Sequence, residues 1–372
     1  MLKNWSRKSN NLVHHFNIDT AGTHTCQVYS GNGTLEILAD RIRIYNQKKV
    51  LLLIDENVDK LYGRKITEIL LSEGFDPAVH KIPSGETSKS AGKWLEAVDF
   101  CFESGVNRKT PLVAVGGGVT GDLAGYVAAS VMRGIPLVQV PTTLLAMVDS
   151  SLGGKTGINH HTGKNLIGAF YQPDTIISDI IFLETLPARE WRCGMAEIIK
   201  YGAIADPDLF TLAARFKLGF SDPAKLMELI TRCARIKAAI VAEDELEAGR
   251  RAWLNYGHTF AHALEALTGY RRFSHGEAVY IGMVAAHKLS NLLGAKLDEF
   301  PLFQFLDSYR LSVADLKPRI HELVAKMFLD KKSLNNTVRV VLLHRYGHPR
   351  IVDITDLSLL EKAWDFALDT CN

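Results

Sequence analysis

A glycine-rich run joins an apolar segment of this chain to a helical pattern. The run, Gly116-Gly117-Gly118-Val119-Thr120-Gly121-Asp122, follows the apolar residues 112–115 and precedes the helical pattern 123–132. Its spacing matches GxGxxG, in which glycines let the main chain approach a pyrophosphate and the helix amino terminus supplies unpaired amides. The run predicts the strand–turn–helix unit of a dinucleotide-binding domain, with a tight turn that binds nothing as the structural alternative.

Hydrophobic periodicity divides the chain into two regions. Short β-rich segments alternate with helical patterns such as 58–72 and 91–103, which predicts a mostly parallel sheet. The predicted strands are 50–54, 79–82, 112–115, 137–140 and 175–178. We therefore predict an α/β domain over residues 1–185.

Beyond residue 186 the pattern becomes helical, for example at 223–243 and 357–368. Two short apolar segments, 338–343 and 350–354, flank a Tyr-Gly-His turn and predict a small hairpin. We predict a second domain over residues 186–372, which is all-helical apart from that hairpin.

Composition argues against several classes of partner. The formal net charge of the 372 residues is only +2 and the basic residues form no block, so nucleic acid is not expected. The longest apolar runs have strand length, so no membrane insertion is expected. The five cysteines show no CxxC spacing, which argues against a disulfide framework or a cysteine-built zinc site. We expect a cytoplasmic protein with a small-molecule ligand.

The predicted dinucleotide site lacks its usual acidic residue. The strand at 137–140 ends in Pro141-Thr142-Thr143 and offers no carboxylate for the adenosine ribose. Asp55, at the end of the strand 50–54, and Glu86 with Lys89 are the candidates to replace it. Helix capping or ordinary loop polarity would explain these three residues equally well.

A polar stripe indicates a site in the second region. Arg251, Asn255, His258 and His262 are four, three and four residues apart, so a helix over 250–267 would place them on one face. The alternative is a solvent-exposed helix face without a binding site, but exposed faces favour lysine and glutamate over paired histidines. His258 and His262 have the spacing to bind one metal, with His275 and Glu197 as further candidates; two histidines and a carboxylate would leave positions open for substrate oxygens.

Two lysines occupy a segment that is rich in small residues. Lys155 and Lys164 lie within residues 149–165, which we predict to be a loop that permits close ligand approach. Together with Lys237 and Arg251 they would hold phosphate and carboxylate groups. Surface lysine is the alternative, more plausible for Lys237 than for the other two.

These residues and motifs resemble the sugar phosphate cyclases, and within them the 3-dehydroquinate synthase family. The similarity is most specific over residues 116–133, 140–173, 194–201, 237–265 and 275–283. It implies an NAD-binding α/β domain with the glycine-rich turn, then a helical domain that binds one divalent metal, expected to be zinc with cobalt as the alternative. It also implies a homodimer.

The resemblance assigns roles residue by residue. It makes Glu197, His258 and His275 the metal ligands, which moves His262 to the substrate side. Positions that match the substrate pocket are Asp149, Lys155, Lys164, Asn165, Lys200, Lys237, Arg251, Asn255 and His262. Arg133 matches an arginine that reaches a neighbouring subunit's site, and a late motif, Asp330-Lys331-Lys332, brings a lysine to the substrate phosphate, with Lys332 preferred over Lys331. Positions that match NAD contacts are Asp55, Asn57, Glu86, Lys89, Gly116, Gly117, Gly118, Val119, Asp122, Thr142, Thr143, Lys155, Lys164 and Thr185.

The reaction implied by the resemblance converts 3-deoxy-arabino-heptulosonate 7-phosphate, a small phosphorylated sugar acid, to 3-dehydroquinate and phosphate. It proceeds by transient oxidation with NAD, phosphate elimination, reduction and aldol closure, as a step of the shikimate route to aromatic amino acids. The alternatives are a cyclase of the amino-dehydroquinate, valiolone or inosose type, a polyol dehydrogenase that releases NADH, and a catalytically inactive NAD-binding subunit. The cationic residues argue against the polyol dehydrogenase, because an uncharged polyol needs no such cluster.

Overall fold

The computed structural model describes residues 13–20, 24–328 and 337–372. These residues form two compact units. The first unit comprises residues 13–19, 24–142 and 154–184, and the second comprises residue 20 with residues 143–153, 185–328 and 337–372. Among the described residues, no helix combines the length and apolar character that a membrane span requires.

The first unit is built on a seven-stranded sheet. Its order is β1-β2-β9-β6-β5-β3-β4, in which β1 and β2 are antiparallel and all other neighbours are parallel. All five predicted strands are present in it, and the sheet is mostly parallel as predicted. The strands of this unit are β1 (His14–Asp19), β2 (Thr25–Gly31), β3 (Lys49–Asp55), β4 (Asp76–Ile82), β5 (Leu112–Gly116), β6 (Leu137–Pro141), β7 (Lys155–His160), β8 (Gly163–Phe170) and β9 (Thr175–Asp179).

Helices cover this sheet and bury its apolar side chains. Leu51 and Leu53 of β3 share one core with Leu123 and Val127, which lie on the helix after the glycine-rich turn. The predicted helix 58–72 begins with a π-helical turn, Asp59–Gly63, and is regular only afterwards. The helices of the first unit are α1 (Leu38–Arg43), α2 (Glu56–Val58), α3 (Arg64–Ser72), α4 (Ala91–Glu103) and α5 (Gly118–Ser130).

The predicted loop that carries Lys155 and Lys164 is wrong for residues 155–160 and 163–165. These residues belong to an antiparallel pair, β7 and β8, with Gly157 opposite Gly168. A Cβ on Gly157 would lie 2.5 Å from the main-chain oxygen of Ile167, and one on Gly168 would lie 2.0 Å from that of Thr156. The small residues therefore permit close strand pairing, and not only an open loop.

The second unit is mainly helical and contains the predicted hairpin. Helix α8 spans the 223–243 prediction, and the last helix agrees with the prediction apart from two added residues. Its elements are α6 (Ala188–Ile204), α7 (Asp208–Ala214), α8 (Pro223–Glu243), α9 (His258–Leu267), α10 (His275–Leu292), α11 (Phe300–Phe303), α12 (Ile320–Met327), β10 (Val338–Arg345), β11 (His348–Ile354) and α13 (Leu357–Thr370).

The predicted continuous helix over 250–267 is also wrong. A 3-10 turn, Arg250–Asn255, ends at Tyr256, whose ψ of 124° is extended, and α9 begins only at His258. Gly257 separates them in a left-handed conformation with φ of 80°, which glycine adopts without strain. Arg251 and Asn255 therefore do not share a helix with His258 and His262.

Candidate active site

Close helix crossings position the candidate metal ligands. The amino terminus of α10 approaches α6 at Gly276, where a Cβ would lie 2.5 Å from the main-chain oxygen of Cys193. Further along α10, a Cβ on Gly282 would lie 2.1 Å from the main-chain oxygen of Gly257, just before α9 begins. Glycine at these crossings lets the main chains come close. His275 on α10 and Glu197 on α6 thereby meet the first residue of α9, His258.

The three side chains form a cluster with the spacing of a metal site. Ligand atoms of Glu197, His258 and His275 all lie within 4.8 Å of one another. Nε2 of His258 is 3.7 Å from Glu197 Oε1, and Nε2 of His275 is 3.6 Å from the same oxygen. The structure therefore brings together the three residues to which the resemblance assigned the metal, and not the pair His258 and His262 that helical spacing favoured.

The charges in this cluster fit a bound cation. Glu197 is fully buried, and its Oε1 has no hydrogen-bond partner among the described residues. Its charged neighbour is Lys200, which forms an ion pair with Oε2. Burial, with Lys200 and His275 as further causes, holds the pKa of His258 well below its usual value, so this imidazole is neutral at pH 7. A buried carboxylate facing two imidazole nitrogens is a donor set that suits zinc or cobalt.

A second group of charges adjoins the triad through Lys200. Nζ of Lys200 lies 3.8 Å from Asp149 Oδ1, and Nζ of Lys237 lies 3.1 Å from the same atom. The hydroxyl of Tyr201 donates to that oxygen at 2.5 Å. Burial alone would raise the pKa of Asp149, but Lys237 and Lys200 lower it well below its usual range. Two buried ammonium groups therefore share the Asp149 carboxylate, and one of them, Lys200, also pairs with Glu197.

Arg251 is a third buried cation in the second unit. Its Nη2 donates to the main-chain oxygen of Gly153 at 2.7 Å, and its Nη1 donates to that of Glu245. A Cβ on Gly153 would lie 2.6 Å from Arg251 Nη2, and Gly153 has a left-handed φ of 91°. Glycine at this position therefore makes room for the guanidinium.

Several predicted residues line one small cavity of about 80 Å³. Asn255, His258 and His262 contribute to it although the helix that should have aligned them is broken. Nδ2 of Asn255 donates to Glu247 Oε1 at 2.7 Å, which orients the amide. The tertiary structure, and not helical periodicity, brings these side chains together.

In the first unit, the glycine-rich turn lies at the point where the strand order reverses. The chain passes from β3 to β4 on one side and then to β5 on the other, so Asp55 and Gly116 end two neighbouring strands. Nucleotides bind at such a switch point, beyond the carboxyl ends of the strands. Asp55 Oδ1 accepts hydrogen bonds from the amides of Asn57 and Val58, and Oδ2 accepts one from Ser84. Asp55 is therefore both a capping residue and the carboxylate nearest in the sheet to the glycine-rich turn.

A polar network connects the other predicted dinucleotide residues. Nζ of the buried Lys89 lies 2.6 Å from Asp122 Oδ2 on α5 and also donates to Asn165 Oδ1 on β8. Glu86 accepts a hydrogen bond from Asn159 at 2.7 Å. The network ties Asp122 of α5 to the β7–β8 pair.

The remaining predicted residues differ in their burial and contacts. Thr142 is buried, and its amide donates to Gly116. Thr143 accepts from the amide of Ala146. Exposed or half-exposed positions are held by Lys155, Lys164, Thr185 and Arg133, the last with φ of 64°. Lys331 and Lys332 lie outside the described residues.

Sequence reasoning missed two side chains near the site. Arg339 of β10 lines the same cavity as Asn255 and His262 and pairs with Asp353 of β11 at 2.9 Å. Glu265 of α9 places Oε1 3.6 Å from His275 Nδ1. Arg339 gave no distinct signal in an alternating strand, whereas Glu265, seven residues after His258, was detectable as a member of the same helix face.

Two solved enzyme structures share this fold. The structure is similar to a 2-deoxy-scyllo-inosose synthase complexed with carbaglucose-6-phosphate, NAD+ and Co2+ (TM-score 0.82, 26% identity, 94% of this chain and 99% of the other). It is also similar to a 2-epi-5-epi-valiolone synthase from Streptomyces hygroscopicus with NAD+ and Zn2+ bound (TM-score 0.80, 25% identity, 94% and 98% coverage). The chain therefore has the fold of the sugar phosphate cyclases.

Sequence comparison identifies the family within this class. Residues 79–193 match the description "3-dehydroquinate synthase N-terminal", and residues 194–333 match "3-dehydroquinate synthase C-terminal". The 3-dehydroquinate synthase of Desulforamulus reducens is 41% identical over 90% of this chain and 98% of its own length. The chain belongs to the 3-dehydroquinate synthase family.

Proposed function

We propose that this chain converts 3-deoxy-arabino-heptulosonate 7-phosphate to 3-dehydroquinate and phosphate, and is thus a phosphate-eliminating lyase of the shikimate route. Family membership supports this reaction. The observation that carries it is the ion pair between Glu197 and Lys200, which links a metal-type triad to a group of buried lysines within one unit. An anionic sugar acid needs both features, whereas an uncharged polyol needs only the first.

The proposal includes NAD and one divalent metal ion, zinc or cobalt. Glu197, His258 and His275 would hold the metal. Asp55, Asn57, Glu86, Lys89, Asp122 and the turn Gly116–Val119 would contact NAD, with Thr142, Thr143, Thr185, Lys155 and Lys164 as further contacts. When bound, NAD accepts and returns a hydride, and the metal acts as a Lewis acid towards a substrate hydroxyl.

The chain's own residues would bind and orient the substrate. Lys237 and Arg251 suit the carboxylate and phosphate groups, because charge-assisted hydrogen bonds are strongest where water is excluded. Asn255 and His262, which line the cavity beside His258, would orient the remaining polar groups, and Lys155, Lys164, Asn165, Arg133 and Lys332 stay predicted substrate contacts. Asp149 would keep Lys200 and Lys237 protonated and in place. The departing phosphate itself could accept the eliminated proton, so few dedicated bases are required.

The cellular setting is also a proposal. We infer a cytoplasmic homodimer that acts on this small molecule and binds neither nucleic acid nor membrane. Support comes from the modest net charge and from the five cysteines, all of which are free and buried. Size-exclusion chromatography with light scattering would test the dimer.

The reaction is tested by incubating purified protein with the heptulosonate phosphate, NAD and zinc, and by measuring phosphate, the cyclic product and NADH. Equal amounts of phosphate and dehydroquinate without net NADH, abolished by a chelator and restored by zinc, are the expected result. Turnover of only another sugar phosphate in a substrate panel would overturn the substrate. Accumulation of NADH would indicate a polyol dehydrogenase instead.

A further inference from the structure

Glu265 is a buried carboxylate placed beside the metal-type triad. It lies on α9 seven residues after His258, which is two helical turns and therefore the same face of the helix. Its side chain is only 3% exposed. A buried carboxylate is costly unless a charge or hydrogen-bond donor compensates it, so its neighbours indicate its role.

The neighbour of interest is the second nitrogen of His275. Oε1 of Glu265 is 3.6 Å from His275 Nδ1, while Nε2 of the same ring is 3.6 Å from Glu197 Oε1. The two nitrogens of one imidazole thus face two different carboxylates. The Nδ1 contact has the length of an ion pair, so a small rotation of the ring would complete a hydrogen bond.

His258 shows the same arrangement with a different acceptor. Its Nδ1 lies 3.2 Å from the main-chain oxygen of Tyr256, and its Nε2 faces Glu197. Both imidazoles therefore direct Nε2 towards Glu197 and Nδ1 towards an oxygen acceptor. Histidines that bind metals generally donate their other ring N–H to such an acceptor, which sets the tautomer and raises the basicity of the ligating nitrogen.

We propose that Glu265 is a positioning residue of the metal site, whose carboxylate accepts the Nδ1 proton of His275 and holds the tautomer that presents Nε2 to the metal. The inference rests on the proposed metal triad and deepens it. The anionic acceptor faces His275, which is the more exposed of the two histidines. Its side chain is 33% exposed, against 13% for His258. A more exposed ring has fewer packing neighbours, so we expect an acceptor to restrict the orientation of His275 more than that of His258.

The test measures zinc affinity by competition with a chromogenic chelator, and the visible spectrum of the cobalt-loaded protein, neither of which depends on turnover. Glu265→Gln should weaken zinc binding roughly tenfold to a hundredfold and alter the cobalt absorption bands. Glu265→Asp keeps the charge but shortens the side chain, so its affinity should lie between wild type and Glu265→Gln. If Glu265→Gln does not fold, the zinc affinity of Glu265→Asp tests the inference instead.

The matched control is Asp206→Asn. It removes another acidic side chain of the second unit, which pairs with Arg232 at 2.6 Å. The control should bind zinc like wild type even if its melting temperature falls. Zinc affinity in Glu265→Gln within about twofold of wild type would overturn the inference and leave the metal site intact. Failure of the wild type itself to bind zinc or cobalt would overturn the metal site and the inference together.

Discussion

Lys237 donates a hydrogen bond from Nζ to the main-chain oxygen of Asp149 at 2.7 Å, and the same nitrogen lies 3.1 Å from Asp149 Oδ1. The main chain and the side chain of Asp149 therefore both hold the Lys237 ammonium group. Burial, with Arg251 and Lys200 as nearby positive charges, lowers the pKa of Lys237 to about 8, against the opposing effect of Asp149. Its charge is therefore present at neutral pH and is lost within an accessible alkaline range.

This pKa predicts an alkaline limit for activity. Lys237 is protonated below its pKa and binds anions, so kcat/KM should fall as pH rises through about 8. Lys237→Arg should move that limb to higher pH, because a guanidinium stays charged there. Lys237→Met should have a low kcat/KM throughout. An unchanged alkaline limb in Lys237→Arg would show that another group titrates.

The metal triad predicts different effects of substituting His275 and His262. His275→Ala removes an Nε2 that faces Glu197 and should lower zinc affinity by at least about tenfold. His262→Ala should keep its zinc, since His262 is not part of the triad, but should raise KM through loss of a cavity-lining group. Zinc content after dialysis, with KM for the heptulosonate phosphate, separates the two. Loss of zinc in His262→Ala would restore the pair that helical spacing favoured.

The crossing of α9 and α10 predicts a stability effect. Gly282→Ala would place a Cβ 2.1 Å from the main-chain oxygen of Gly257, which cannot move as a side chain does. Such overpacking should lower the free energy of unfolding by about 1–3 kcal/mol and weaken zinc binding, because His258 follows Gly257 directly. Denaturant unfolding measures the change.

The control for that experiment is Gly92→Ala on α4, where nothing lies within 4 Å of the added Cβ. Alanine there should stabilise the protein by up to about 1 kcal/mol through helix propensity. Equal effects of the two substitutions would contradict the close crossing.

The position of Asp55 at the switch point predicts that its carboxylate binds NAD. Asp55→Asn keeps an oxygen that can cap α2, since Asn and Asp are equivalent caps, but removes the charge. NAD affinity should fall roughly tenfold, the effect of losing one charged acceptor. Isothermal titration calorimetry with NAD gives the affinity of each variant.

Asp76→Asn is the control for Asp55, because Asp76 begins β4 beside the first residue of β3, at the opposite end of the same strands. It should bind NAD like wild type. A loss of affinity in both variants would indicate a general effect on the sheet.

Several elements could be predicted because their information is local. The strand 50–54, the glycine-rich turn and the helix 223–243 follow from periodicity, turn residues and caps, all of which act within a few residues. Other elements could not be predicted. The helix through His258 breaks at Gly257 because α10 passes close by, and the β7–β8 pair forms because glycines on two strands meet.

The residue types of the site can be read from the sequence alone: two histidines with a glutamate, a set of lysines and arginines, and a glycine-rich turn. Which of them meet depends on how the helices pack. Glu197, His258 and His275 come from three different helices, and the choice of His275 over His262 depends on crossings at Gly276 and Gly282 that no spacing along the chain encodes. The physical reason is that periodicity reports which face of an element is polar, whereas a metal site needs distances between elements, and those are set by long-range packing.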